Sequence, residues 1–245
     1  MNTLILLAHP EPTSFNARLA EIAAEVRRGL GDRVELVDLN AIGFDPVEAP
    51  RHYGARENEQ AFSPLAEQRH AWKGGTVPDD VAEQIAHLDR ADLVILQFPV
   101  WWHSVPAMLK GWMDRVFLSG GLYTSKMRYD AGYFRGKRAI CSITSGAPAD
   151  VFVEGGRGGS LDQILWSTQF SLHYMGFEVL SPQASFGVAG HGYSYVSEAD
   201  FAAQFADQET AWRSRLPGLS NETPMTFPGW SDWDETGRPL ATAER

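Results

Sequence analysis

Residues 92–117 read DLVILQFPVWWHSVPAMLKGWMDRVF. A nearly unbroken apolar run, 92–98, passes into a loop of Pro and Trp, and then into Val105, Leu109, Trp112, Val116 and Phe117 at helical spacing. A run without a polar face reads as a strand buried on both sides, and the helix behind it reads as a crossover to a parallel neighbour. Outward from this unit the pattern repeats. TLILLA (3–8) precedes a helix over about 15–30, and RVELVDL (33–39) is a second strand. A helix presenting Val81, Ile85 and Leu88 leads into 92–98; RAICSIT (138–144) is the fourth strand. Ser160 and Gln163 form a capping box at the next helix start. GFEVLSP (176–182) reads as the fifth strand, and a last helix spans about Ser197 to Leu216. Strands alternating with helices predict an α/β, doubly wound, parallel five-stranded sheet of order 2-1-3-4-5.

A length of 245 residues suits one enlarged domain over 1–216, with an extended C-terminal tail over 217–245. Two more stretches exceed the minimal plan: 45–77, polar and irregular, and 119–136, with Tyr123, Tyr129 and Tyr133 among glycines and charges. The net charge of −10 and pI near 5.1 argue against nucleic acid and anionic membranes as partners. A single cysteine, Cys141, allows no internal disulfide, which suits the cytoplasm. No signal peptide and no apolar run of membrane-spanning length is visible, so a soluble protein is expected.

In an open parallel sheet, ligands collect beyond the carboxyl ends of the strands where strand order reverses, here between strands one and three. The loops leaving those strands are AHPEPTSFN (8–16) and PVWWHSVP (99–106). Thr13, Ser14 and Asn16 stand at a helix start, where free N–H groups and the helix dipole favour an anion; simple capping is the plainer alternative. No G-x-x-x-x-G-K-S/T is present and no G-x-G-x-x-G follows the first strand, which weighs against triphosphate and Rossmann sites. Trp101 and Trp102 are adjacent, so both cannot enter one core; one packs against a helix or covers something flat. His103 by itself reads as a surface residue. The loop SGAPADVFVEGGRGG (145–159) is glycine-rich, either a gate near a ligand or a plain connector.

LAHPEPTSFN (7–16), QFPVWWHSVPAMLKGWMDRVF (97–117), ILW (164–166) and HYMGFEVL (173–180) resemble the NAD(P)H:quinone oxidoreductases of the DT-diaphorase type, flavodoxin-like flavoproteins. The resemblance implies a homodimer holding FAD, with FMN the lesser expectation, at its interface. It implies hydride transfer from NAD(P)H and two-electron reduction of a quinone. By position, His9, Thr13, Phe15, Asn16 and Ala17 would hold the pyrophosphate and adenine side, and Pro99, Val100, Trp101, Trp102 and His103 would line the isoalloxazine. Thr144, Ser145, Gly146 and Ala147 would meet its pyrimidine edge, while Asp114 would approach from the dimer interface. Tyr123 falls where the family closes the acceptor pocket from the partner subunit, and Ser125 replaces a second pocket Tyr. Where the family carries a proton-handling Tyr and His, this chain has Phe152 and Gly158, neither of which moves protons. No catalytic residue and no metal site is assigned. Reduction of azo or nitro compounds, a flavin-binding regulatory subunit of a potassium-efflux system, and a one-electron carrier are the alternative readings.

Overall fold

Strand β3 (Leu93–Pro99) is buried at every residue and lies between β1 (Asn2–Leu7) and β4 (Arg138–Thr144) in a parallel sheet. The computed structural model describes residues 1–188 and 198–240. With β2 (Arg33–Asp38) and β5 (Glu178–Val179), the order is 2-1-3-4-5, as the sequence predicts. Helices α1 (Phe15–Gly29), α3 (Asp79–Arg90), α4 (Ala107–Val116), α5 (Leu161–Tyr174) and α6 (Glu198–Arg215) cover the two faces. The expected start of the last helix at Ser197 lies outside the described residues.

Alternation along each strand divides the core. Ile5, Leu7, Ile95 and Ile140 face α1 and Trp212 of α6, whereas Leu4, Leu6, Leu96, Phe98 and Cys141 face α3, α4 and α5. The two fully buried indoles are each satisfied: Trp112 Nε1 donates to Gln84 Oε1, and Trp212 Nε1 to the Leu19 carbonyl, both at 3.2 Å. Burial pushes the Cys141 thiol up to about 12, so it is an inert core atom.

Two expectations need correction. The fifth strand is not continuous over 176–182: Glu178–Val179 pairs with Arg138–Ala139, and β6 (Gln183–Ser185) pairs with Ser142–Thr144. The pairing offset grows by one residue between these blocks, and Pro182, without an N–H, sits in the gap. The stretch 45–77 is not wholly irregular either. It contains α2 (Pro64–Gly74), begun by Pro at its first position and ended by Gly75 at φ 65°.

The chain after Leu216 returns along the domain. Met225 N–H donates to the Val179 carbonyl at 2.8 Å, and His173 Nε2 lies 2.8 Å from the Pro228 carbonyl. Trp230 and Trp233 close on Tyr129, with ring centroids at 5.4 and 4.8 Å. No described helix is long and apolar enough to cross a membrane.

Candidate functional site

The loops after β1, β3 and β4 meet at the carboxyl end of the sheet. Asn16, in the first turn of α1, is their buried link: its Nδ2 donates to Thr144 Oγ1 at 2.8 Å, and Gln97 Nε2 donates to its Oδ1 at 2.9 Å. Val100 N–H donates to the Thr144 carbonyl at 2.8 Å. His9 and Trp101 approach with ring centroids 5.9 Å apart, joining the first and second loops directly.

The first loop ends as a helix start built to meet an anion. Ser14 is the N-cap of α1, and its hydroxyl accepts from Ala17 N–H at 3.2 Å. Arg18 N–H reaches the Ser14 carbonyl, so the first-turn N–H groups of Phe15 and Asn16 lie outside the helical ladder. Oriented backbone donors at a helix N-terminus suit a phosphate, and they suit one here without a basic field. Phe15 itself packs on Phe205 of α6 at 4.4 Å, and Ala17 is buried, so these two residues serve through backbone and packing.

The second loop is a tight reversal. Trp101 and Ser104 exchange two backbone hydrogen bonds of 3.0 Å, and both residues between them are left-handed, Trp102 at φ 52° and His103 at φ 58°. Two positive-φ central residues make the turn a type I′ geometry, usually occupied by Asn and Gly. Bulky side chains there are held against their preference, and such strain gathers at functional sites. The consequence is exposure: Trp102 is 97% exposed and Trp101 43%. Neither indole packs into a core, which leaves both flat faces for a planar ligand. The indole faces are therefore open to solvent in the single chain. Replacing Trp102 and His103 together by Asn and Gly is expected to stabilise the fold by about 1–2 kcal/mol, because the left-handed cost disappears. A lower midpoint of thermal unfolding would remove the strain argument.

The third loop supplies backbone. Ser145 N–H donates to the Ser185 carbonyl at 2.9 Å, and the Ser145 hydroxyl accepts from Ala147 N–H at 3.2 Å, curling Gly146 between them. Further on, Phe152 stacks against Phe186 at 5.2 Å. Gly158 donates to the Val151 carbonyl at 2.8 Å. A side chain at 158 would start 2.9 Å from both the Phe152 ring and the Val151 carbonyl. The two positions thus touch each other, and the bulk of Phe152 occupies the room a larger residue at 158 would need.

Tyr123 and Asp114 lie elsewhere. They line a recess of about 340 Å³ whose walls include Lys110, Met113, Phe170 and Tyr174, with no residue from the three loops. Tyr123 meets Tyr174 edge-on at 5.6 Å, and Asp114 pairs with Lys110 across one helical turn. The Ser125 carbonyl accepts from the Arg128 guanidinium. Two residues escaped the sequence reading. Gln97 was visible as the polar residue in an otherwise apolar strand. Glu11 binds Thr13, two residues on, through both N–H and hydroxyl, a local turn without a distinctive motif.

Comparison with known proteins bears on what these loops are for. A model of the flavodoxin-like fold family matches residues 1–216. NAD(P)H dehydrogenase (quinone) 1 of Cavia porcellus is 38% identical over 226 residues, which is 91% of this chain and 79% of that protein. Ribosyldihydronicotinamide dehydrogenase (quinone) of Mus musculus is 38% identical over 231 residues, 93% of this chain and 96% of that one. A solved structure described as a candidate quinone reductase from Klebsiella pneumoniae superposes with a TM-score of 0.85 at 34% identity, covering 95% of this chain and 91% of that one.

Proposed function

Because the chain belongs to the flavodoxin-like fold family, within its NAD(P)H:quinone oxidoreductase branch, we propose that this oxidoreductase is a cytoplasmic, FAD-dependent reductase of quinone-type acceptors. The observation that carries this reading is the convergence of free α1 N–H groups, two exposed indoles and the β4 loop around the buried Asn16 link. Flavin, when bound, supplies the hydride-accepting and two-electron chemistry; the protein binds, orients and shields it.

The backbone of Phe15 and Asn16 would hold a phosphate, with His9 beside it. The His9 Nδ1 lies 3.1 Å from the Glu11 amide nitrogen and 3.3 Å from the Glu11 carbonyl oxygen, which fixes the ring over the loop. Trp101, Trp102 and His103, with Pro99 and Val100 behind them, would flank the planar ring. Thr144 through Ala147 would border its polar edge. Phe152 and Gly158 contribute bulk and backbone but no proton, so protons would come from water or from another side chain: Glu154 or Arg157 of the third loop, or His103 on the same turn as the indoles. Tyr123 and Asp114, in a recess that no residue of their own chain's three loops lines, would complete the acceptor pocket of the other subunit in a homodimer.

The relatives' names include both NAD(P)H and ribosyldihydronicotinamide as donors, so both belong in the test. Flavin released by denaturing the purified protein should be FAD. NADPH or dihydronicotinamide riboside should bleach the yellow colour anaerobically, and menadione should restore it. A protein that binds neither FAD nor FMN would sink the proposal. A yellow protein that no donor bleaches would favour a regulatory flavin-binding subunit instead.

A further inference from the structure

The loop between β1 and α1 already carries an anion. Glu11 Oε1 accepts from Thr13 N–H at 2.9 Å and from Thr13 Oγ1 at 2.7 Å, while the Glu11 carbonyl accepts from Ser14 N–H at 3.1 Å. The Thr13 bonds and the neighbouring His9 hold this exposed carboxyl below its ordinary range, so it is ionised at neutral pH. An ionised carboxylate only accepts hydrogen bonds, and so does a phosphate oxygen. The one hydroxyl proton and the one N–H of Thr13 therefore cannot serve Glu11 and a phosphate together. No cation nearby on α1 offsets this competition: Arg18 spends its guanidinium on Glu209 at 3.1 Å, with Glu21 and Glu25 at 3.9 and 3.8 Å. Phosphate recognition here rests on neutral donors, and a resident negative charge weighs heavily against neutral donors.

We infer that the Glu11 carboxylate is an internal stand-in for the flavin's phosphate on Thr13, displaced when flavin binds. Glu11 then sets how strongly phosphate-bearing flavins are held relative to riboflavin. This inference rests on the flavin reading above and assigns Glu11 a specificity role within it. The stand-in keeps the loop ordered between binding events. Its cost falls on ligands whose own charge must approach it, FAD and FMN, and spares the uncharged riboflavin, which shares their ring.

The test is a set of dissociation constants, from quenching of flavin fluorescence, for FAD, FMN and riboflavin on the apoprotein and on its E11Q and E11A variants. Gln keeps an acceptor oxygen for Thr13 but drops the charge; Ala drops both. Removing one unit charge beside a dianion at a protein surface is worth about a factor of ten. Both variants are thus expected to bind FAD and FMN about tenfold more tightly and riboflavin within twofold of the parent. Unchanged or weaker FAD binding in E11Q, or an equal shift for riboflavin, overturns the assignment and leaves Glu11 as a loop organiser. If the unmodified apoprotein binds none of the three flavins, it is the flavin reading that fails. Far-ultraviolet circular dichroism, recorded on each variant, confirms that the comparison is between folded proteins; an unfolded E11A leaves E11Q to decide.

Discussion

Replacing Asn16 by Ala is expected to cost about 3 kcal/mol of folding stability, because two buried groups lose their partners at once. Gln97 Nε2 and Thr144 Oγ1 both depend on the Asn16 amide, and Gln97 is wholly buried with its Oε1 already without a protein partner. After the substitution, no side-chain atom of Gln97 would be bonded to protein. For a domain of this size the midpoint of thermal unfolding should fall by roughly 6–12 °C. The Asn16 side chain also holds the β1, β3 and β4 loops in register, so flavin occupancy, read as visible absorbance per protein, should fall at least tenfold. Thr144→Val removes only one of the two bonds and should cost about half as much in stability. If Asn16→Ala left both stability and flavin occupancy intact, the convergence of the three loops would have no common brace.

Gly111→Ala is the second large effect, and its sign opposes helix propensity. Alanine in the middle of a helix is ordinarily worth about 1 kcal/mol over glycine. Gly111 lies within α4, however, and a Cβ there would fall 2.0 Å from the Pro46 carbonyl oxygen and 2.4 Å from the Pro46 Cβ. That segment cannot retreat easily. Arg115 Nη1 donates to the Asp45 carbonyl at 2.7 Å, its guanidinium lies over the Phe44 ring at 4.9 Å, and Asp80 anchors it from α3 at 2.6 Å. Overpacking against pinned backbone costs about 3 kcal/mol, so the variant should be destabilised by about 2 kcal/mol net. Thermal unfolding decides between the two tendencies; a higher midpoint would mean that the 44–47 segment yields.

The order of the sheet, its two-faced burial and the position of the ligand end were legible in the chain because they follow from periodicity. Apolar runs such as 3–8 and 92–98 can only be buried strands, and parallel strands require crossovers that place the loop ends together. The Ser160–Gln163 capping box was legible because it is a local bond pattern. Helix α2 was not, since its polar surface carries a weak apolar period and its start is marked by Ser63 without a capping bond. The interruption between β5 and β6 depends on pairing with β4, which no local spacing encodes.

At the site the division is similar. Residue types and their loops could be read from the chain: hydroxyls and an amide at a helix start, two indoles past a buried strand, a glycine-rich third loop, and the absence of a proton-bearing side chain at 152 and 158. Tertiary structure alone decided that Asn16 faces Gln97 and Thr144, that Trp102 and His103 are forced left-handed and outward, and that Tyr123 and Asp114 stand in a separate recess. Composition and periodicity report which face of an element is buried. Which groups meet across sequence separations of 81 or 128 residues is settled by packing, because a hydrogen bond between distant segments leaves no trace in the spacing of either one.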